Sequence, residues 1–555
     1  MPQNLEHKSG LYKTNTLGFG IAGIILFCMA YSQAPLYYSN QNQYFLHGFT
    51  KAKLGYLEKD WLGNTTDPTP LFSGLVCLSI TWLNENIFYF YYAMLQGVFL
   101  SCAWIIYHRK NNNKPFEIGH YALFSAIFIL INSAALRWLS YRLFDQDYPW
   151  FLQAGVAGQY ILGAMFQPSN FGVFLLLGLS LFMVEKHISA TVFTCLAGIL
   201  HTTYLLGGAF IILGFQLYLV LDGKIKKAIL IGILALLLVM PSVFYAAGNF
   251  QPSSSEGFKE AQEFLVKFRL PHHCLPQLWL DWVACLQILW IMLSLFLLRK
   301  QKALTVILVP FLLGALLTIL QVVTQSNTLA LLFPWRISSV LVPLATMIIL
   351  SELLAYCNPF ISRLKPFVPS VVLSIILALL GIAIPVFKAG FVIKENENGI
   401  LAHIKTNKTI DDLYLLPVNV PNLASTTRGS LSSDFKPIGK KTTDTRIVPI
   451  DMQRFRLYAQ APLYIDFKAI PYKDADVLDW HRRLLLAQNW QKRLLDNKSP
   501  ELLLEELRAQ KINHIVTNAN VDLDQTELEL KFTDDHFKLW KIKEVPKPIR
   551  ASGFK

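Results

Sequence analysis

An α-helical polytopic membrane protein, with a small α/β domain at its C-terminal end, is the fold class that this sequence predicts. Of its 555 residues 53% are hydrophobic and 16% charged, and the mean hydropathy is +0.38. An ordinary soluble chain has about a quarter charged residues. The apolar residues also gather into runs near the roughly 20 residues that cross a ~30 Å hydrocarbon core as a helix. After Lys388 the composition changes sharply to alternating polar and apolar residues.

The first run, Leu17 to Pro35, follows a weakly basic tail with Lys8 and Lys13. Ala30-Tyr31-Ser32 loosely resembles a signal-peptidase site, but the many apolar runs that follow favour an uncleaved start helix. A long aromatic and polar loop, residues 36–70, comes next. Leu71 to Leu83 is short for a crossing and reads as re-entrant or interfacial. Full spans are expected at Ile87–Tyr107, Tyr121–Leu139, Phe171–Val184, two within Ile188–Leu221, Ile229–Ala246, Trp282–Leu298, Leu304–Val323, Ile337–Tyr356 and Val368–Phe387. With the first run these make eleven crossings. The transmembrane domain is residues 1–387 and the tail domain 388–555.

The formal charge of +13 lies largely in short loops between the runs: His108 to Lys114, Lys224 to Lys227, Arg299 to Lys302, and Arg363 with Lys365. This is the positive-inside pattern. It places the N-terminus in the cytoplasm and the tail outside, as in a bacterial inner-membrane protein. No nucleic-acid motif is present. Seven scattered cysteines form no C-x-x-C pair and read as small buried hydrophobes. In the tail, strands are expected at Leu413–Leu416, Leu463–Phe467, His514–Val516 and Phe537–Ile542. Helices are expected at Ala475–Trp490 and from a Ser499 cap with Pro500 in its first turn. With its own periodic helices and strands, the tail is expected to fold alone from about Glu395.

Candidate chemistry lies in the outer loops. Asp60 and Asp67, in a loop held by Trp61 and Pro68, are of the type that takes a proton from an acceptor hydroxyl; a solvated loop with a turn-forming Asp-Pro is the alternative. Arg269 and Arg336 border apolar spans, where an unpaired charge is costly. A lipid phosphate would satisfy both in two-pronged geometry, as would snorkelling or pairing with the loop acids. His272 and His273 lack the third ligand of a metal site. His201 sits at membrane depth, and Gln159 with Gln167 to Asn170 forms a second polar spot that bonds across helices or lines a cavity.

This layout resembles the GT-C superfamily of polytopic glycosyltransferases, which use lipid-phosphate-linked sugars. The shared features are a first span, a long external loop with an acid near its start, many further spans and an external C-terminal domain. The resemblance implies a catalytic base at Asp60 or Asp67, a lipid-phosphate-linked sugar as substrate, and Arg269, His272, Arg336, His201 and Gln159 as binding residues. The first loop lacks an Asp-Glu pair, Glu58-Lys59-Asp60 being nearest, so no metal or other cofactor is expected.

At the level of residues the chain looks closer to an uncharacterised family of bacterial, often cyanobacterial, membrane proteins. That likeness is carried by Asp60 to Pro70, Gly158-Gln159, Gln167-Pro168-Ser169, Phe268 to His273, Pro334 to Ser338, Ile465 to Lys468 and Trp480 to Arg483. A transporter of lipid-linked glycans and a non-catalytic envelope assembly protein are the rival readings. A transporter should show polar residues continuing toward the cytoplasmic face.

Overall fold

The computed structural model describes residues 3–110, 117–361, 365–391, 395–418, 452–496 and 500–544. Residues 111–114 of the first basic loop, Arg363 and the expected cap at Ser499 lie outside them. The chain forms two compact units. The first takes in Met1–Gln41 and Pro68–Ile393; the second joins Asn42–Asp67 to the tail from Lys394 onward. The sequence had assigned Asn42–Asp67 to the transmembrane domain; in the structure this stretch groups with the tail.

In the first unit the helices are α1 (Gln3–Tyr31), α2 (Pro70–Trp82), α3 (Ile87–Lys110), α4 (Ile118–Asn132), α5 (Ala134–Phe144), α6 (Val173–Met183), α7 (His187–Leu200), α8 (Leu205–Leu221), α9 (Ile225–Asn249), α10 (Trp282–Leu297), α11 (Leu304–Thr324), α12 (Ser338–Ile361) and α13 (Phe367–Val386). Among the described residues, six helices are long and apolar enough to cross a membrane: α3, α8 with the turn before it, α9, α11, α12 and α13. Counting the pair α4 and α5, bent by 47°, as one span makes seven. Eleven crossings are not reached on length, because the apolar part of α1 and helices α6, α7 and α10 are shorter. The α4–α5 bend has a local cause. Ser133 is extended, and its hydroxyl accepts from Leu136 N to cap a new helix, which is what serine favours at such a break.

The basic loops share one end of this unit. Lys224 and Lys302 both pair with Asp222, and Gln301 lines a cavity with His108 and Arg109. A Cβ on Gly119, at the start of α4, would lie 3.7 Å from Pro366, just before α13. So α13 starts at the basic end. At Gly381, toward its other end, a Cβ would come within 2.1 Å of Met29 O in α1. Only glycine lets the two backbones approach that closely.

Residues 148–172 contain short 3₁₀ turns and no long helix, yet nearly all are buried. Irregular backbone inside a membrane domain needs partners for its polar groups. Side chains from the surrounding elements supply them. Thr346 donates to Leu152 O at 2.8 Å, Gln287 to Ala154 O at 2.7 Å, Tyr31 to Leu162 O at 2.9 Å, Gln41 to Phe166 O at 3.1 Å and Tyr204 to Ser169 O at 2.6 Å.

The second unit has a four-stranded sheet of β1 (Tyr414–Leu415), β2 (His514–Asn518), β3 (Leu528–Thr533) and β4 (Phe537–Ile542) in the order β1-β2-β4-β3. β1 pairs parallel with β2, and the other pairs are antiparallel. Its core joins Tyr414, Leu463, Val516 and Leu539 to Ile400, Leu401 and Ile404 of helix α14 (Asn398–Asn407). Helix α15 (Asp474–Leu495) has acids in its first turn and Lys492 and Arg493 in its last, matching its macrodipole. It is tied to α16 (Pro500–Ala509) by Arg493 and Glu506 at 2.8 Å. The expected strand Leu463–Phe467 makes only an isolated bridge, Tyr414 to Leu463. Its Leu463 N–H is directed to Asp60 instead, at 2.9 Å.

Candidate functional site

The irregular segment of the first unit sets up the site. Ala157 and Gly158 both have positive φ, 56° and 65°, forming a sharp turn that exposes Ala157 O and the Gln159 side chain to one partner, His273. Its Nδ1 lies 2.9 Å from Ala157 O and 2.9 Å from the Gln159 amide. Ala157 O accepts a hydrogen bond from Nδ1, whereas Gln159 Nε2 donates one to it, so the two contacts belong to opposite tautomers of the ring. Burial pushes the His273 imidazole well below its ordinary range, and the nearby His272, Arg336 and Arg269 act in the same direction. His273 is therefore neutral. The His272 and His273 rings lie 4.1 Å apart.

Arg336 stands on the turn Pro334–Ile337 just before α12, after Phe333 in the left-handed region at φ 50°. That turn is held by the irregular segment: Val156 N donates to Ser338 Oγ at 3.0 Å. A Cβ on Gly155 would come within 2.3 Å of Ser339 N. The guanidinium lies 5.0 Å over the Tyr204 ring, and its Nη2 is 3.3 Å from His201 Nε2. Because Arg336 only donates, Nε2 accepts and His201 is also a neutral imidazole. Arg336 Nε is buried with no hydrogen-bond partner, and no ion pair of Arg336 occurs among the described residues. Arg269 ends the turn Phe264–Arg269 and is 6% exposed.

The structure brings His201, Tyr204 and Arg336 into one group and Gln159, His272 and His273 into another, with Arg336 and Arg269 near enough to His273 to disfavour its charge. Two guanidinium groups among neutral imidazoles make a buried positive site. Such a site stabilises an anion, and a phosphate best, because it can accept from several donors at once. Tyr204 was not singled out from the sequence, although its position three residues after His201 was the available signal. Among the described residues no group of three or more His, Cys, Asp or Glu is placed to hold a metal.

The two loop acids occupy a different setting, in the second unit. Asp60 is 0% exposed. Its Oδ2 accepts from Arg456 Nε at 2.7 Å and from Leu463 N at 2.9 Å, and its Oδ1 accepts from Gly63 N at 3.0 Å. Arg456 is also buried and binds Asp466, whose backbone oxygen accepts from Trp480 Nε1 at 3.1 Å. Burial opposes the charge on Arg456, but Asp60 and Asp466 outweigh it and hold the guanidinium protonated. A carboxylate enclosed in this way is structural, and it is poorly placed to receive a proton from a substrate.

Asp67 is 7% exposed and pairs at 2.6 Å with Lys51, whose side chain is 45% exposed. Nearby, burial pushes the His47 imidazole below its ordinary range, although Asp67 opposes the shift. Trp61 lies beneath the Arg483 guanidinium, 4.5 Å from the ring centroid. Arg483 is held in turn by Asp479 at 2.7 Å.

No curated protein matches the chain significantly. Residues 440–487 are similar to a domain of unknown function (DUF6798). The matched stretch contains Arg456 and Leu463, which bond the Asp60 carboxylate, Asp466 and Trp480 behind Arg456, and also the Ile465 to Lys468 and Trp480 to Arg483 segments.

Proposed function

We propose that this chain is a membrane protein that recognises a lipid-phosphate-linked sugar through the Arg336 cluster, and that glycosyl transfer from this donor is its reaction. The observation that carries the reading is Arg336. Its Nε is buried and unbonded, its neighbour His201 is a neutral imidazole, and it has no carboxylate partner among the described residues. Arg336 and Arg269 would neutralise the phosphate, which leaves already charged, so that no strong general acid is required. Asp60 is locked to Arg456 and does not serve as the base.

The orientation follows from charge. The end that collects Lys224, Lys302 and the His108 turn is assigned to the cytoplasm. The end at which α1 and α13 finish then faces outward, and the tail with it. A carrier of the same lipid is the second reading. Gln96 favours it: this residue in α3 is 0% exposed, and neither its amide oxygen nor its nitrogen has a hydrogen-bond partner among the described residues.

The test is binding of a short-chain polyprenyl phosphate to the full-length protein in nanodiscs. Arg336→Lys should weaken it about tenfold, because a point charge cannot replace a planar two-pronged donor. Arg336→Ala should weaken it further. Unchanged affinity in both variants, with the protein folded and monodisperse, would sink the reading.

A further inference from the structure

At the opposite end of the same helices lies a second built site. A cavity of about 960 Å³ is walled by the C-terminal ends of α3, α6 and α10 and by the second half of α12. It is at the upper end of the roughly 300–1,000 Å³ range of ligand pockets. On α12 its lining begins at Ile348, about 15 Å along the helix from Ser338 at 1.5 Å per residue, so it is distinct from the Arg336 cluster.

Its wall divides by polarity. Ile106, Met183, Leu298 and Ile348 form an apolar side, and Arg109, Lys110, Glu185 and Glu352 form a charged side. Lys110 pairs with Glu352 at 2.6 Å across α3 and α12, both groups remaining partly open to the cavity. Arg109 has no ion pair among the described residues. One unpaired guanidinium and one ammonium held by an exchangeable carboxylate, set beside an apolar wall, match an anionic head joined to a hydrocarbon chain. Basic pockets between membrane helices near the cytoplasmic surface bind phosphate head groups for this reason.

We infer that this cavity binds a phosphate-bearing amphiphile, with Arg109 and Lys110 on the phosphate and Glu352 as the group that Lys110 exchanges for it. The inference rests on α3 and α12 being membrane spans and on the basic end facing the cytoplasm, and is independent of what binds at Arg336. Full-length protein is titrated with short-chain phosphatidic acid, the matching diacylglycerol and inorganic phosphate, in wild type and in Arg336→Ala to silence the other cluster. Phosphatidic acid binding should survive Arg336→Ala and weaken about tenfold in Arg109→Gln/Lys110→Gln. Glu352→Gln should tighten it by a few-fold, since Lys110 loses its competing partner; a double variant that merely unfolds would not produce that opposite shift. The proposal is overturned if diacylglycerol binds as well as phosphatidic acid, or if the remaining binding ignores both substitutions. Displacement by equimolar inorganic phosphate would assign the site to a soluble phosphate and overturn the amphiphile.

Discussion

At the scale of residues, two groups that look alike in sequence have different roles. Asp60 and Asp67 are both loop carboxylates with an aromatic or proline neighbour, but Asp60 is enclosed by Arg456, Leu463 N and Gly63 N. Asp60→Asn keeps the shape and strands a charge, and removing one partner of a buried pair costs about 3–5 kcal/mol. It should lower the melting temperature of the protein markedly. Asp67→Asn, whose ion-pair partner Lys51 is 45% exposed, should lower it less. Equal melting temperatures for wild type and Asp60→Asn would contradict the structural role.

His514 offers a pH test at the same scale. It stacks on Tyr414, lies 3.6 Å from Asp412, and burial pushes its pKa down to about 4 in spite of that carboxylate, with Lys541 and Lys531 acting with burial. The folded protein binds this proton less readily than the unfolded chain does. The stability that His514 contributes is therefore complete above the ordinary histidine range near 6.5, and it is lost as pH falls from about 6.5 to 4. The melting temperature of the wild type should drop across that window, and His514→Gln should flatten the drop. Parallel profiles for the two proteins would assign the drop to other groups.

At the scale of elements, close backbone contact decides where helices can pack. Gly381 carries α1 so near that a Cβ would meet Met29 O, whereas a Cβ on Gly74 would meet nothing within 4 Å. Gly381→Val should therefore reduce the amount of folded protein in the membrane several-fold. Gly74→Ala, inside α2, should preserve or slightly raise it, since alanine is about 1 kcal/mol the better helix former. Membrane-fraction abundance reads both, and equal loss in the two would remove the packing argument. The elements themselves were unevenly legible. Strands β2 and β4 were visible as β-type apolar runs, and β4 has the expected bounds. β3, whose residues are largely exposed and alternate charge along Glu529 and Lys531, was hidden because an edge strand of this kind reads as a polar loop. The Leu463 run looked like a strand but makes a single bridge to Tyr414, its Leu463 N–H going to the carboxylate of Asp60.

At the scale of the whole molecule, the tail is not a self-contained stretch of chain. The second unit includes Asn42–Asp67, and a fragment beginning at residue 395 leaves Arg456 and Asp466 without Asp60 and Gly63. Contrary to the expectation from its composition, that fragment should lack a cooperative melt. Adding residues 42–67 as a fused or separate peptide should restore one. A cooperative melt of the bare fragment equal to that of the completed one would refute this. The membrane character, the clustering of basic loops and the identity of the cationic residues were all legible in the sequence. They depend on local composition and on charges flanking apolar runs, which act without distant partners. The neutral imidazole beside Arg336 and the fate of Asp60 were decided by tertiary structure alone. Each depends on a partner far along the chain, 135 positions away for Arg336 and His201 and 396 for Asp60 and Arg456, where burial and that partner set its charge and its role.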